Sequence, residues 1–485
     1  MFTLGIVKPI YIIGIGIESF YISYVVPKVY YLGNYPTKPL LHPEGDFHLD
    51  VDIHLSFIER KSYNLISNSS IILKTDFSDQ IEVPISDPVP TLYDGLSTVV
   101  TVSLTIPKEA VELWWPNGMG NQPLYKIYVG TKHIHDKWIE KRIGFRTTSL
   151  VTMNENNTAD FRKALHDFTE GSGQSGMYFR INGAIVMARG ANFIPMDQLE
   201  GRLSSEAHKI VVQSASKANM NMLRVWGGGM VPLDSFYDTC DEEGILIYHD
   251  MMFVDQDGHR PSKTNTVSKE IRHLVRSLAS HPSLLVWNGC NECSVVMGTP
   301  SEIYATFVMK AVAEEDDTRP IWPSSPSQHG WKTGVRRLDG RPFTRKRDLT
   351  TWDANAFSSV LESHGPYLRS FSYSHPGVNG YNAHFPYSNT PPKLEKIDIG
   401  YSHPNEFASE FGSTTMSSFE SMTGTITPKH WSLHGGSDPD ECIRDYGNIN
   451  RCNGTNIMAE RVRPHIFSMF VLYLFGFSPN EIDIT

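Results

Sequence analysis

Short segments in the first third of the chain alternate apolar and polar residues. Clear examples are Phe47–Leu55, Ser69–Lys74, Thr98–Ile106 and Leu124–Val129, which are separated by turns rich in Pro, Gly, Asn and Asp. With a period of two residues, successive side chains lie on opposite faces of a strand. Repeated short strands of this kind are typical of an antiparallel sandwich. The pattern therefore predicts an immunoglobulin-like β-sandwich over residues 36–150.

After residue 175 the pattern changes to apolar strands that alternate with helices. The predicted strands are Met222–Trp226, Ile245–Tyr248 and Leu284–Trp287, and the predicted helices are Ser204–Asn219, Leu233–Glu243 and Ser268–Ser280. Ser204 is a favourable N-cap residue, and Gly244 is a favourable residue to end the second helix. Repeated βα units predict a parallel sheet covered by helices, here a (β/α)₈ barrel over residues 151–485. A doubly wound sheet is the competing fold, but no Gly-rich phosphate-binding motif follows any strand.

Length and charge narrow the class of protein. A chain of 485 residues is too long for one compact core, so two or three domains are expected. The net charge of −10 argues against a nucleic-acid partner, which would require a basic surface. The longest apolar runs, such as Phe467–Phe477, are too short to span a bilayer, so no membrane segment is predicted.

The cysteines are too few to form a disulfide scaffold. There are five, Cys240, Cys290, Cys293, Cys442 and Cys452, and the spacing allows one bridge, Cys442–Cys452. Cys290 and Cys293 have the spacing of a pair of zinc ligands, but no second Cys or His pair matches it. The sequence therefore predicts no metal site.

Polar residues gather directly after the apolar strands. They are Asn192 and Asp197, Arg224 and Trp226, His249 and Asp250, Asn291 and Glu292, and finally Glu410 after a later strand, Asn405–Ser409. Any one of them alone is explained by a helix cap or an ion pair. Because active sites of barrels lie at the carboxyl ends of the strands, their shared position favours a site.

Two carboxylates in this set indicate a reaction class. Cleavage of a glycoside requires an acid that protonates the leaving oxygen and a second carboxylate that meets the oxocarbenium-like centre. Glu292 and Glu410 are the candidates. Their separation in the sequence does not establish a distance, so two unrelated surface glutamates are the alternative at this point.

Several motifs, in order, resemble the β-mannosidase branch of glycoside hydrolase family 2. They are Glu112–Gly118, Arg142–Arg146, Gly190–Pro195, Asn219–Met230, Phe236–Asp250, His281–Glu292, Arg319–Ser327 and Ser409–Gly412. The resemblance extends over roughly residues 5–465. The Asn291-Glu292 pair and the Ser409-Glu-Phe-Gly412 motif are its most specific parts.

The resemblance implies a role for each site residue. Glu292 is the general acid and then the general base, Glu410 is the nucleophile, and Asn291 bonds the 2-hydroxyl of the sugar. Arg224 orients a carboxylate, with Glu410 as the expected partner, and Asp250 receives sugar hydroxyls. The remaining residues assigned to the substrate pocket are Trp226, Asn192 and His384, although a buried structural role is an equal alternative for His384. Trp287 packs beneath the site.

Some features depart from the family pattern. Residues 1–35 resemble the end of a preceding jelly-roll domain, and no Trp-Gln-x-Asn motif follows Glu410. The sequence therefore predicts a chain that is incomplete at both ends, with a barrel that lacks its last strand. Tyr248-His-Asp-Met251 replaces the Trp-Gln-Asp-Phe that is frequent in relatives, and Cys290 replaces Asn or Gly.

The resulting functional prediction is a retaining exo-β-glycosidase that hydrolyses terminal β-D-mannose residues. Endo-β-mannosidase, β-galactofuranosidase and β-glucosaminidase activities are alternatives, as is a catalytically inactive glycan-binding fragment. The expected partner is an oligosaccharide or a glycoprotein glycan, with no organic cofactor. Glycosylation sequons at Asn68, Asn156 and Asn453 agree with a lysosomal or secreted protein.

Overall fold

The computed structural model describes most of the first two thirds of the chain and two short segments beyond it. The described residues are 10, 12–14, 20–33, 36–57, 69–85, 96–132, 134–151, 177–197, 199–254, 261–293, 303–326, 362–364 and 407–410. The chain consists of two compact units, which are residues 1–363 with 404–409, and residues 364–403 with 410–485. All elements below belong to the first unit, except for His364 and Glu410.

An antiparallel sandwich opens the first unit. Its strands are β1 Phe20–Tyr31, β2 Phe47–Phe57, β3 Ser70–Thr75, β4 Ile81–Pro84, β5 Ser97–Ile106, β6 Tyr125–Thr131 and β7 Ile134–Ile143. One sheet has the order β1-β2-β5 and the other has the order β4-β3-β6-β7. Leu49 and Val51 of one sheet are fully buried with Ile71 and Ile127 of the other, so a single core joins the two sheets. The predicted antiparallel strands are present, and the immunoglobulin-like type stays a prediction.

The position of β1 corrects the first predicted domain boundary. Residues 1–35 were assigned to a preceding domain, but β1 pairs with β2 along its length, from Phe20 opposite Phe57 to Tyr31 opposite Phe47. Apolar residues of β1, such as Val25, are buried in the core of the sandwich. Because strand pairing and core packing both tie β1 to the sandwich, residues from Phe20 onward belong to the sandwich rather than to a preceding domain.

A small antiparallel sheet follows the sandwich. It contains β8 Thr148–Val151, β9 Tyr178–Ile181 and β10 Ala184–Val186, in the order β10-β9-β8. Phe179 of this sheet is buried with Trp114 of the sandwich and with Leu246 of the parallel sheet described next. The small sheet therefore covers one side of the parallel sheet.

Five parallel strands carry the candidate site. They are β11 Gly190–Phe193, β12 Met222–Val225, β13 Leu246–Asp250, β14 Leu284–Asn288 and β15 Ile321–Trp322, and they pair in chain order. The helices between successive strands are α1 Ser205–Lys217, α2 Asp234–Glu243, α3 Asn265–Leu278 and α4 Met309–Glu315. A doubly wound sheet reverses its strand order at a switch point, whereas these five strands do not. The closure of a (β/α)₈ barrel lies outside the described residues and stays a prediction.

The ends of the helices follow local capping chemistry. The Ser204 hydroxyl accepts the N–H of Ala207 at 3.1 Å, and Gly244 ends α2 with a left-handed φ of 73°, as the sequence predicted. The third helix begins at Asn265 rather than at Ser268, because the Thr264 hydroxyl accepts the N–H of Val267 and caps an earlier turn.

Two short strands complete the described elements. Strands β16 Glu362–His364 and β17 Phe407–Glu410 form a two-stranded sheet. Strand β17 agrees with the late strand predicted before Glu410. Among the described helices, none combines the length and the apolar character needed to cross a bilayer.

Candidate active site

Alternation along the parallel strands sends side chains to two different faces. Leu223 and Ile247 pack in the core that contains the helices, whereas Met222 and Leu246 pack in the core on the opposite side. Further along this second face, at the carboxyl ends of β12, β13 and β14, lie Arg224, Asp250 and Asn288. The pleat of the sheet thus brings three polar side chains from separate strands together.

Arg224 and Asp250 form the centre of this polar group. Nη2 of Arg224 donates to Oδ2 of Asp250 at 2.7 Å, and its Nε lies 3.3 Å from Oδ1. The N–H of Gly227 donates to Oδ2 at 3.0 Å, and Nδ2 of Asn288 donates to Oδ1 at 2.8 Å. Nη2 of Arg224 also donates to Oδ1 of Asn291 at 2.7 Å. One buried guanidinium therefore fixes both a carboxylate and the amide beside Glu292.

Burial and charge act in opposite directions on Asp250. Its side chain is fully buried, and burial raises the pKa of the carboxyl, while Arg224 and Asn288 oppose that rise. Asp250 was expected to receive sugar hydroxyls. Because both its oxygens bond protein donors, the contacts described here make it the anchor of Arg224 instead. A contact between Asp250 and a sugar hydroxyl stays a prediction, and it requires the hydroxyl to replace one of these protein donors.

Asn291 and Glu292 lie on a loop after β14 that neighbouring segments hold. The N–H of Asn291 donates to the carbonyl of Phe253 at 3.0 Å, and the N–H of Glu292 donates to the carbonyl of Ser325 at 2.6 Å. Asn291 is buried, whereas Glu292 is exposed. Glu292 has a φ of 56°, in the left-handed region that non-glycine residues rarely occupy. The loop therefore presents the Glu292 side chain to solvent beside a fixed amide.

The other predicted pocket residues differ in their placement. Trp226 directly follows β12 and is half-buried, and its ring lies so close to Gly228 that a Cβ there would be 2.1 Å from the ring. Asn192 on β11 lies at the limit of hydrogen bonding to Arg224, at 3.5 Å. His384 lies outside the described residues.

His249 is a buried titratable residue to which the sequence assigned no role. Its Nδ1 donates to the carbonyl of Asp250 at 2.7 Å, and the Tyr237 hydroxyl lies 2.8 Å from its Nε2. Burial lowers the pKa of His249 to about 4, so the ring is neutral at neutral pH. His249 points toward the helices, where it bonds Tyr237, because it alternates with Tyr248 and Asp250.

Glu362 is a described residue beside the candidate site to which the sequence assigned no role. Its buried carboxylate accepts the Tyr248 hydroxyl at 3.0 Å and the Ser325 hydroxyl at 2.7 Å. The hydroxyl oxygens of Ser325 and Ser409 lie 3.0 Å apart. Because the Ser325 proton is directed to Glu362, the Ser409 hydroxyl is the donor in that pair. Glu362 lies in no motif of the resemblance, so only the fold reveals it.

Glu410 directly follows Ser409 in the chain and belongs to the second unit. Within that unit, its Oε2 lies 3.7 Å from Nδ1 of His364. The predicted pairing of Arg224 with Glu410 joins two units that are described separately, so it stays a prediction. In the first unit the fork of Arg224 bonds Asp250.

Among the described residues of the first unit, two groups have the composition of metal ligands, and other contacts involve the members of each group. Cys290 and Cys293 are joined in a disulfide, which removes the pair as zinc ligands and was not predicted. Asp238, Asp241 and His281 lie near one another. Arg142 bonds Asp238 at 2.8 Å, and the N–H of Ser283 donates to Asp241 at 3.0 Å, so protein cations and donors already hold these carboxylates.

Known proteins similar to this chain are β-mannosidases. The enzyme from Rattus norvegicus is 36% identical over 280 residues, which are 54% of this chain and 29% of that protein. A β-mannosidase B from Aspergillus oryzae is 34% identical over 221 residues, which are 44% of this chain and 24% of that protein. The alignment with the mouse enzyme, from Mus musculus, covers 27% of it. The chain therefore spans well under half the length of the curated relatives it matches.

Other comparisons add a structural neighbour. The β-D-mannosidase from Dictyoglomus thermophilum superposes with a TM-score of 0.48 and 26% identity, over 63% of this chain and 35% of that chain. A comparison with models of known protein families gives no match.

Proposed function

We propose that this chain, which is 34–36% identical to β-mannosidases over about half of its length, is a β-mannosidase-like member of glycoside hydrolase family 2 and a retaining exo-β-glycosidase acting on terminal β-D-mannose residues. The observation that carries the proposal is the bond from buried Arg224 to Asn291, which fixes the residue next to Glu292 at the carboxyl end of β14. An exposed carboxylate beside a fixed amide at that edge suits a sugar that enters from solvent.

Each site residue has a chemical role in this proposal. Glu292 protonates the leaving oxygen, and Glu410 attacks the anomeric carbon to form a glycosyl ester. Glu292 then removes a proton from the water that hydrolyses this ester. A retaining mechanism requires the two carboxyls to be about 5–5.5 Å apart. Asn291 accepts from Arg224 through Oδ1, so its NH₂ group is the donor that we assign to the sugar 2-hydroxyl.

The proposed architecture and location follow the same family. The five parallel strands in chain order are part of a (β/α)₈ barrel, and the preceding sandwich is of the immunoglobulin-like type. A lysosomal or secreted location fits an enzyme that trims glycans. Another equatorial β-glycoside is the alternative substrate, because the segments that would select the sugar lie outside the described residues.

The first test is hydrolysis of 4-nitrophenyl β-D-mannoside by the parent chain and by Glu292→Ala, Glu410→Ala and Glu206→Ala. Glu206 is an exposed glutamate on α1 and serves as the control. We expect both site variants to lose at least about a hundredfold in kcat, because acid–base catalysis alone contributes 10²–10⁴-fold, and the control to retain parent activity.

Azide separates the roles of the two carboxylates. It should restore turnover of Glu410→Ala with formation of the α-mannosyl azide, and of Glu292→Ala with formation of the β-mannosyl azide. The products are distinguished by their anomeric proton signals in NMR spectra. A parent that releases α-mannose first, or a Glu292→Ala variant as active as the control, would contradict the proposed mechanism.

A further inference from the structure

A disulfide encloses the two residues that are central to the proposed reaction. Cys290 and Cys293 flank Asn291 and Glu292, their sulfurs are bonded, and their Cα atoms are 5.7 Å apart. That Cα separation lies within the range usual for disulfides. Both cysteines are buried, with 0% and 6% exposure. The bond therefore closes a four-residue ring in which only Glu292 is exposed.

The backbone inside this ring has an unfavourable conformation at one position. Glu292 has a φ of 56°, and in this left-handed region the Cβ of a non-glycine residue lies too close to the following carbonyl oxygen. Such a conformation persists only where the surroundings determine it. The N–H of Glu292 is held by the carbonyl of Ser325, and a further restraint is needed to keep the carboxyl from moving if the backbone of Glu292 changes to a negative φ.

Hydrogen bonds restrain both ends of the ring. Nδ2 of Asn288 donates to the carbonyl of Cys290 at 2.8 Å, and the Ser324 hydroxyl donates to the carbonyl of Cys293 at 2.7 Å. These bonds fix the flanking cysteines to β14 and to the segment after β15. The disulfide then links the two fixed ends directly across Asn291 and Glu292.

We propose that the Cys290–Cys293 disulfide is a positioning clamp that holds Glu292 in the orientation needed for proton transfer. This inference rests on the proposed function, in which Glu292 is the acid and base. In the reduced chain Glu292 leaves the left-handed conformation, and its carboxyl no longer faces the leaving oxygen. Cys290 and Cys293 are thus positioning residues that act through Glu292.

The clamp forms by thiol–disulfide exchange with a low-molecular-weight disulfide. The thiolate of one cysteine attacks that disulfide, forms a mixed disulfide and releases one small thiol. The second cysteine thiolate then displaces the other small thiol and closes the Cys290–Cys293 bond. The two protein thiols are oxidised, the small disulfide is reduced to two thiols, and the two protons pass from the protein thiols to the released thiols.

The first arm of the test does not depend on activity. The full chain is denatured without reductant and alkylated, and peptides containing Cys290 and Cys293 are examined by mass spectrometry. We expect both cysteines to remain unlabelled unless the chain is first reduced. Cys240 is a free, buried thiol on α2 and should be labelled in both cases, as an internal control. Full labelling of Cys290 and Cys293 without reduction would overturn the proposal.

Amide hydrogen exchange then tests whether the bond restrains the loop. Native parent chain is compared before and after reduction, and also with Cys290→Ser, Cys293→Ser and Cys240→Ser. We expect exchange in the peptide containing Asn291 and Glu292 to become about tenfold faster on reduction and in either variant of the pair. It should not change in Cys240→Ser. Equal exchange in the oxidised and reduced chains would overturn the clamp even if the disulfide exists.

The second arm identifies the effect on proton transfer. An activated leaving group such as 2,4-dinitrophenolate needs little protonation, whereas the sugar leaving group of β-1,4-mannobiose needs it. We expect Cys290→Ser and Cys293→Ser to lose about tenfold in kcat/KM on mannobiose and less than about twofold on the dinitrophenyl mannoside. Equal losses on both substrates would indicate general destabilisation and overturn the positioning role. A parent that hydrolyses neither substrate would contradict the proposed function, while the exchange arm still decides whether the clamp exists.

Discussion

At the scale of single residues, His249 links the candidate site to the hydrophobic core. The neutral ring of His249 bonds the Tyr237 hydroxyl on one side and the carbonyl of Asp250 on the other. Its pKa of about 4 lies below the value near 6.5 of an exposed histidine. The unfolded chain therefore takes up a proton at a higher pH than the folded chain does.

We expect His249→Gln to make the chain less sensitive to acid. A base with a lowered pKa makes its full contribution to the free energy of unfolding above the pKa that it has in the unfolded chain. His249 therefore loses this contribution as the pH falls from about 6.5 to about 4. This loss amounts to about 1.4 kcal/mol per pH unit for one proton. Glutamine retains an acceptor for the Tyr237 hydroxyl but does not titrate. Urea denaturation at pH 7 and at pH 5 measures the difference.

The control for this prediction is Tyr237→Phe, which removes the hydrogen bond and keeps the titrating ring. It should lower the free energy of unfolding at both pH values and retain the parent's loss on acidification. Identical acid dependence in His249→Gln and the parent would show that His249 does not take up the proton.

At the scale of secondary-structure elements, local chemistry sets where the helices begin and end. The Ser204 hydroxyl satisfies the N–H of Ala207 at the start of α1, and Glu206 lies in the first turn, where a negative charge is favourable. Gly244 adopts a positive φ at the end of α2, and a Cβ there would lie 2.5 Å from the nitrogen of Asn117. The same glycine thus ends a helix and permits close contact with the loop before β6.

Replacing the capping serine should destabilise the chain, whereas replacing its neighbour should not. Ser204→Ala leaves the N–H of Ala207 without its side-chain acceptor, so the free energy of unfolding should fall by about 1 kcal/mol. Ser205→Ala changes an equally exposed serine at the first helical position and is expected to stay within about 0.5 kcal/mol of the parent. Equal losses in the two variants, measured by thermal denaturation, would contradict the assignment of Ser204 as the cap.

At the scale of the first unit, polar contacts join the sandwich to the helices beside the parallel sheet. The indole N–H of the fully buried Trp114 donates to the carbonyl of Asp241 at 2.9 Å. Nδ2 of Asn117 donates to the carbonyls of Ser216 and Met220 at 3.0 and 2.9 Å. These contacts provide hydrogen-bond donors for carbonyls at the ends of α1 and α2. The sandwich therefore stabilises the helices that pack on the strands of the site.

Trp114→Phe should therefore lower the free energy of unfolding of the first unit more than Trp115→Phe does. The variant leaves the carbonyl of Asp241 without its buried donor, and we expect a loss of about 1–3 kcal/mol. Trp115 is half-buried, so water can reach its surroundings, and Trp115→Phe should cost less. Urea denaturation of both variants makes the comparison, and an equal or larger loss in Trp115→Phe would contradict this view of the junction.

The sequence alone determined the strands and helices and the order in which the polar residues occur. Apolar periodicity predicted β12, β13, β14 and their helices, because burial requires apolar residues on the buried faces. Capping chemistry at Ser204 and Gly244 is local and was readable in the same way. Motif resemblance predicted Asn291 and Glu292 as site residues, and Arg224 was predicted to orient a carboxylate.

Only the tertiary structure decided how these residues pair. The register between β13 and β14 shifts by one residue after Ile247, which faces Leu284, so Tyr248 faces Val286 and Asp250 faces Asn288. Without this bulge Asp250 would lie opposite Trp287, and Asn288 would point to the other face. Glu362 likewise meets Tyr248 from a distant segment. Strand register and contacts between distant segments depend on packing across the whole sheet, which periodicity within one segment does not encode.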